Sequence, residues 1–354
     1  MHCDLCTTVA DSDLPIIASN SGLDLPLSLN SSTSTAAALA LIADDMRGMD
    51  AVIDRRLSSD VALIGQISRY IVAAGGKRLR PALLLLMCGA LGYKGEQRFH
   101  LAAVVEFIHT ATLLHDDVVD ESTLRRGRET ANEAFGNPAS VLVGDFLYSR
   151  AFQMMVDAGD MRIMHTLAEA TNVIAEGEVQ QLMNMHDASL SEEDYVRVIR
   201  SKTAKLFEAC ARIAALLAVS TPAVEAACAD YGQALGTAFQ VIDDVLDYDG
   251  DVSEMGKNLG DDLREGKVTL PLIIAMQRGT EQERDTLRLA IETGGTEKMA
   301  EIVAIVQRTG ALDATRSCAA TEAQRAMDAL GTLPESDYRA ALMCLASQLL
   351  ERRA

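Results

Sequence analysis

Tryptophan is absent from this chain of 354 residues, and aromatic residues make up only 4% of it. β-Branched residues do not alternate with polar ones, so the sequence argues against a sheet-rich fold. The seven cysteines are scattered, which is typical of a reducing compartment and not of a disulfide framework. Cys3 and Cys6 form a CxxC, but no second pair or histidine cluster accompanies them, so we expect no zinc site.

Long apolar runs and basic residues near the N-terminus are also missing. The most apolar run, at 81–92, has 12 residues, whereas a membrane-spanning helix needs about 20. The first 35 residues are rich in Ser, Thr, Asp and Pro, and no Lys or Arg precedes Arg47, so neither a secretory signal nor a transit peptide is indicated. We expect a disordered tail at 1–35 and a cytoplasmic protein that is not transmembrane.

Basic residues are fewer than acidic ones. The chain has 51 acidic and 32 basic residues, and its formal net charge is −19. This charge disfavours nucleic acid and anionic membranes as partners of the whole surface. We therefore expect no nucleic-acid partner.

Helix-forming residues dominate what is present. Alanine, leucine and methionine are abundant, and helical patterns follow one another with short breaks from residue 36 to the end. The sequence predicts an all-α protein with one large domain at 36–354, which forms a helical bundle. The stretch 36–74 is predicted to include a helix that ends at Gly75 and Gly76. Further helices are predicted from residue 81 onward and at 100–121, 140–156, 161–185, 192–219, 222–248, 270–278, 281–292, 297–307, 311–330 and 336–353, with a loop at 249–267.

Two acidic clusters with the same DDxxD spacing stand out in this pattern. In a helix, residues four apart share a face, so each cluster directs two carboxylates toward one point. Both interrupt apolar segments, where unpaired carboxylates are costly, and bound hard cations would offset that cost. Magnesium is the expected ion, since it binds through carboxylates and substrate phosphates. The clusters are Asp116, Asp117 and Asp120, and Asp243, Asp244 and Asp247.

Basic residues near the first cluster match a diphosphate group. Lys77, Arg78 and Arg80 form one group, and Arg125, Arg126 and Arg128 form a second. Arginine binds phosphate through two parallel hydrogen bonds, and lysine acts as a point charge. On the predicted helix His109 shares a stripe with Thr112 and Asp116, so it could reach a phosphate. The alternative is a core histidine that is bonded to a neighbouring helix.

Six segments together resemble the trans-isoprenyl diphosphate synthases, and among them the long-chain polyprenyl members of the octaprenyl diphosphate synthase type. The similarity runs from about residue 36 to the C-terminus. The resemblance implies an isoprenoid-synthase-type helical bundle with a central substrate cavity. The segments are GGKRLRP at 75–81, IHTATLLHDDVVDESTLRRGRETAN at 108–132, GDFLYSRAF at 144–152, KTAKLF at 202–207, GTAFQVIDDVLDY at 236–248 and GKNLGDDLREGKVTLP at 256–271.

The resemblance implies a role for each matching residue. The isopentenyl diphosphate ligands would be Lys77, Arg80, His109 and Arg126. The allylic diphosphate would be bound by Arg125, Lys202, Lys257 and Lys267, with Thr203 and Gln240 facing the developing allylic cation. About three Mg²⁺ ions would be bound mainly by Asp116, Asp120 and Asp243, while Asp117, Asp244 and Asp247 would assist directly or through water.

Product length is the main variable within this family. A bulky residue five positions before the first aspartate ends the tunnel early, but here that position is Ala111, followed by Thr112. Ile108 lies further along and would help to form a floor, or would belong to the ordinary core. The resemblance therefore implies a long all-trans product, from octaprenyl to decaprenyl, for a quinone side chain. It also implies a homodimer, and it leaves open a peripheral membrane contact during product release.

Alternative functions share some of these features. A terpene cyclase would lack the second DDxxD and the GGKR segment, and a metal-dependent phosphohydrolase would add histidine ligands that the six histidines do not supply. A regulatory subunit of a heteromeric prenyl synthase would have lost at least one acidic cluster, whereas both are whole here. A shorter-chain prenyl diphosphate synthase is a further alternative.

Overall fold

The computed structural model describes residues 35–73, 76–125, 127–249 and 259–352. The predicted tail at 1–35 therefore lies outside the described residues, apart from its last position. Arg126 and Lys257, both predicted to bind a diphosphate, also lie outside them.

The described chain is almost entirely helical, as the sequence predicts. A single two-stranded hairpin interrupts the helices within the described ranges, with β1 (Leu124–Arg125) antiparallel to β2 (Arg128–Glu129). The helices, numbered in chain order, are α1 (Thr35–Ala40), α2 (Ala43–Arg56), α3 (Ala62–Ala73), α4 (Leu79–Ala90), α5 (Gln97–Val119), α6 (Ala131–Phe135), α7 (Asn137–Ala158), α8 (Met161–Met183), α9 (Glu192–Ile199), α10 (Lys205–Leu217), α11 (Pro222–Asp249), α12 (Asp261–Arg264), α13 (Leu270–Arg278), α14 (Glu281–Thr293), α15 (Met299–Arg308), α16 (Ala311–Ala329) and α17 (Asp337–Leu349), with a π-helical segment at Arg200–Ala204 and a 3₁₀ turn at Leu330–Thr332.

Two predicted helical stretches are interrupted in the structure. The stretch 36–74, predicted to include a helix, contains α1, α2 and α3, with a break at 57–61 where two serines and an aspartate favour local hydrogen bonds over the helix. The helix predicted at 192–219 is divided by the π-helical segment. The sequence also did not predict the hairpin, whose turn contains Gly127 at a φ of 71°.

Two apolar clusters hold the helices together. The larger one joins α1–α8, α10, the first half of α11 and α17, and it surrounds α4 so completely that Leu83 to Leu86 are fully buried. Burial of each such leucine side chain contributes roughly 1.5–3 kcal/mol to the stability of the fold. The smaller cluster joins α9, the second half of α11 and α12–α16. Helix α11 thus passes through both clusters and links them.

In the part of the chain that the structure describes, no helix has both the length and the apolar character that a bilayer crossing requires.

Candidate active site

A cavity of about 730 Å³ lies between the end of α5 and the C-terminal part of α11. The sequence placed one acidic cluster on each of these helices, and the structure brings both clusters to the same cavity. Their six aspartates all line it, namely Asp116, Asp117, Asp120, Asp243, Asp244 and Asp247.

The first cluster is paired with basic residues from other parts of the chain. Asp117 is 1% exposed and accepts hydrogen bonds from Arg125, at 2.8 Å from Nε and 2.6 Å from Nη2. Asp120 accepts from Lys267 Nζ at 2.7 Å. Asp116 is partly buried, and that burial, with repulsion from Asp120, raises its pKa against the opposing effect of Lys202.

The second cluster is held in a similar way on α11. Asp243 accepts from Arg352 Nη1 at 2.8 Å. Asp244 is buried and accepts from the Tyr195 hydroxyl and from Gln240 Nε2. Burial and the nearby Asp262 raise the pKa of Asp244 well above its ordinary value.

The six carboxylates differ in how far they are exposed to the cavity. Asp117, Asp244 and Asp247 are buried, and Asp247 accepts from the backbone N–H at residue 261 at 3.1 Å. The partly exposed carboxylates are those of Asp116, Asp120 and Asp243.

A magnesium site must therefore be completed by something other than these side chains. Within the described residues, no three His, Cys, Asp or Glu side chains already converge as metal ligands. Magnesium commonly binds only one or two carboxylates and fills its remaining positions with water and phosphate oxygens. Three partly exposed carboxylates on opposite walls of one cavity fit that requirement.

Basic residues line the cavity near both clusters. Arg80 Nη1 lies 3.1 Å from His109 Nε2, and the Arg80 guanidinium carbon lies 4.6 Å from the centre of the Phe207 ring. Burial lowers the pKa of Lys77, and the nearby Arg352 lowers it further. His109 thus lines the cavity and also contacts a side chain of a neighbouring helix, while its contact with a phosphate stays a prediction.

The π-helical segment carries the predicted allylic residues Lys202 and Thr203. Single π turns inside α-helices often occur at functional sites, because they change the direction of the side chains. Thr203 Oγ1 donates to Gln240 Oε1 at 2.9 Å, and Gln240 in turn donates to Asp244 at 2.8 Å. The Thr203 side chain is therefore tied to the second acidic cluster.

Two glycines allow neighbouring helices to approach this segment closely. A Cβ at Gly177 of α8 would lie 2.9 Å from the backbone nitrogen of Lys202. A Cβ at Gly236 of α11 would lie 2.7 Å from the Cα of Ala204. Because neither distance is compatible with a side chain, these glycines permit the packing that places Lys202 in the cavity.

Sequence reasoning missed several of the described residues that contact the predicted site, among them Glu178, Tyr195 and Arg352. Glu178 of α8 lies 2.6 Å from Lys202 Nζ. Tyr195 holds Asp244, and Arg352 holds Asp243 while its guanidinium carbon lies 4.7 Å from the centre of the Phe239 ring. Glu178 and Tyr195 had no motif around them, and Arg352 is 109 residues from its partner. No local pattern could have found them.

The predicted chain-length residues occupy different environments. Thr112 lines the cavity, whereas Ala111 and Ile108 are fully buried in the larger apolar cluster and are not among the described residues that line it. Any effect of Ala111 on product length would therefore be exerted through the packing around α5.

The chain is similar over most of its length to known prenyl diphosphate synthases. The family model described as Polyprenyl synthetase matches residues 61–308. Octaprenyl diphosphate synthase of Escherichia coli (strain K12) is 53% identical over 313 residues, which cover 88% of this chain and 97% of that protein. All-trans-nonaprenyl-diphosphate synthase (geranyl-diphosphate specific) of Rhodobacter capsulatus is 48% identical over 89% of this chain and 97% of that protein.

Solved structures show the same similarity. A polyprenyl synthase from Caulobacter crescentus CB15, complexed with calcium and isoprenyl diphosphate, superposes with a TM-score of 0.88 at 46% identity, over 91% of this chain and 99% of that one. A decaprenyl diphosphate synthase from Rhodobacter capsulatus superposes with a TM-score of 0.86 at 46% identity, over 90% of this chain and 99% of that one.

Proposed function

Because this chain belongs to the polyprenyl synthetase family and is a prenyltransferase, we propose that it adds isopentenyl diphosphate repeatedly to an allylic diphosphate such as farnesyl diphosphate. The product is a long all-trans prenyl diphosphate, between octaprenyl and decaprenyl, for a quinone side chain. One observation carries the proposal: two DDxxD clusters from distant parts of the sequence line one cavity together with Lys and Arg side chains. The domain that performs this reaction spans residues 36–354.

Binding of the two diphosphates is divided between the two ends of the basic lining. Lys77, Arg80 and His109 bind isopentenyl diphosphate, and Arg126 is predicted to join them. Arg125, Lys202 and Lys267 bind the allylic diphosphate, and Lys257 is predicted to join them. Support comes from the position of the described members in the cavity, with the Arg80–His109 contact on one side and the Lys267–Asp120 contact on the other.

Magnesium, at about three ions, would be bound by Asp116, Asp120 and Asp243, which are the partly exposed carboxylates. When bound, it supplies positive charge that stabilises the departing diphosphate. Asp117, Asp244 and Asp247 then act through their protein contacts or through water.

The protein residues orient the reactants and stabilise charge. As the allylic C–O bond breaks, negative charge grows on the diphosphate, where lysine and arginine side chains stabilise it. Positive charge grows on carbon, near the Thr203 and Gln240 oxygens. Apolar side chains in the lining, among them Phe207 and Phe239, help to exclude water, which would otherwise quench the cation. The alkene of the second substrate then attacks, and the released diphosphate accepts the proton that is lost.

We also propose that the chain functions as a homodimer in the cytoplasm. Consecutive helices α7 and α8 expose large apolar side chains, among them Leu142 at 66%, Val156 at 66%, Val179 at 57% and Met183 at 74%. Exposed apolar side chains along two consecutive helices support an interface at this face. A peripheral membrane contact would serve only the release of the long product.

The proposal is tested by incubating the purified protein with farnesyl diphosphate, isopentenyl diphosphate and Mg²⁺, followed by chromatography of the products. We expect prenyl diphosphates of octaprenyl to decaprenyl length. A folded protein that elongates nothing would support the regulatory-subunit or phosphohydrolase alternatives, and short products would support a shorter-chain synthase.

A further inference from the structure

A residue outside the cavity holds the loop that brings Lys267 into it. His186 follows the C-terminal end of α8 and is not among the described residues that line the cavity. Its backbone N–H donates to the carbonyl oxygen of Gly266 at 2.8 Å. This hydrogen bond joins the end of α8 to the loop between α12 and α13.

The carbonyl of Gly266, which accepts this hydrogen bond, and the backbone N–H of Lys267 belong to one peptide plane. That N–H donates to the carbonyl oxygen of Asp262 at 2.8 Å, so the plane is hydrogen-bonded through both of its polar groups. A plane that is fixed in this way limits the direction in which the Lys267 side chain leaves the loop. Its Nζ then lies 2.7 Å from Asp120 Oδ2 and 2.6 Å from Glu265 Oε2.

His186 is itself in an unusual conformation. Its φ is 61°, in the left-handed region where histidine and asparagine are tolerated and β-branched residues are strained. Its Nδ1 lies 2.9 Å from the carbonyl oxygen of Ile291 in the last turn of α14, so Nδ1 must donate. A Cβ at Gly266 would lie 2.5 Å from the ring Nε2, which explains a glycine at that position.

We propose that His186 is a positioning residue that aims Lys267 at the allylic diphosphate. The inference rests on the proposed function, in which Lys267 binds that diphosphate. Two separate contacts carry it: the backbone hydrogen bond fixes the Gly266–Lys267 peptide, and the ring hydrogen bond holds His186 itself against the end of α14. His186 therefore influences substrate binding indirectly, and it influences the binding of the allylic diphosphate only.

Steady-state kinetics of His186→Val test this inference. Because valine disfavours a positive φ, the KM for farnesyl diphosphate should rise about fivefold and kcat should fall with it, while the KM for isopentenyl diphosphate changes less than about twofold. His186→Asn tolerates the same φ and should restore most of the wild-type KM. His165→Val, at an exposed histidine of α8, is the matched control. If His186→Val does not fold, His186→Ala provides the same comparison with less strain.

A double-mutant cycle separates positioning from general loosening of the fold. If His186 acts through Lys267, then His186→Val adds nothing to the KM of a Lys267→Ala variant. Additive effects, an equal rise in both KM values, or a wild-type KM in folded His186→Val would overturn the inference. An unchanged KM in Lys267→Ala would overturn the role of Lys267 and the inference with it. Failure of the wild-type protein to elongate would instead overturn the proposed function.

Discussion

The Nζ of Lys202 lies 2.6 Å from a carboxylate oxygen of Glu178, on the wall of the cavity next to Asp116. Burial, with repulsion from Asp116, raises the pKa of Glu178 to about 7, although the Lys202 ammonium opposes that rise. The pair therefore places a carboxyl group that titrates near neutral pH beside the first acidic cluster.

This raised pKa predicts a pH dependence of stability. The folded protein retains a proton on Glu178 that the unfolded chain releases between its ordinary value of 4.5 and about 7. The corresponding stability is present below pH 4.5 and is lost as the pH rises through about 7. The Glu178→Gln variant has no proton to release at this position, so its free energy of unfolding should depend less on pH in this range. Urea unfolding in EDTA across that range measures the effect, and a curve parallel to the wild type would contradict it.

The metal assignment predicts a loss of activity without a loss of fold. Asp116→Ala or Asp243→Ala should lower kcat by about a hundredfold or more, because the charge that holds Mg²⁺ is removed. In EDTA, the free energy of unfolding should change by less than about 1 kcal/mol, since relief of like-charge crowding offsets the lost contacts. Asp313→Ala, at a side chain that is 93% exposed, is the control. Wild-type activity in both variants would refute the assignment.

Product length should respond to the packing behind the first cluster. Ala111 is fully buried, so Ala111→Phe must displace neighbouring side chains at a cost of about 1–3 kcal/mol. The added ring should shorten the products that chromatography detects. Ala326→Phe overpacks an equally buried alanine of α16 that does not line the cavity, and its products should keep the wild-type length. An unchanged product spectrum in Ala111→Phe would remove this residue from the tunnel.

The proposed dimer interface predicts that charged substitutions on it convert the dimer into a monomer. Leu142→Glu combined with Met183→Glu introduces charges on the exposed apolar side chains of α7 and α8, and burial of those charges in an interface would be costly. Sedimentation should show a dimer for the wild type and a monomer for the double variant. Leu289→Glu, at a leucine of α14 that is 58% exposed, should remain dimeric. A dimeric double variant would place the interface elsewhere.

Local patterns explain why much of the architecture was predictable. The apolar periodicity and the absence of alternating strands predicted the helical class, and the DDxxD spacing predicted which helices would carry the acidic residues. The π-helical segment was not predictable in this way. It packs against Gly177 and Gly236, which lie on two other helices, so its surroundings are set by the tertiary structure.

The sequence by itself determined the helical class, the two acidic clusters and the basic residues around the first, because each depends on neighbours within a few positions. Only the tertiary structure decided that Asp243 meets Arg352, that Lys202 meets Glu178, and which three carboxylates stay partly exposed. Those features depend on helix packing, which brings together side chains from distant segments and sets their burial and hence their charge.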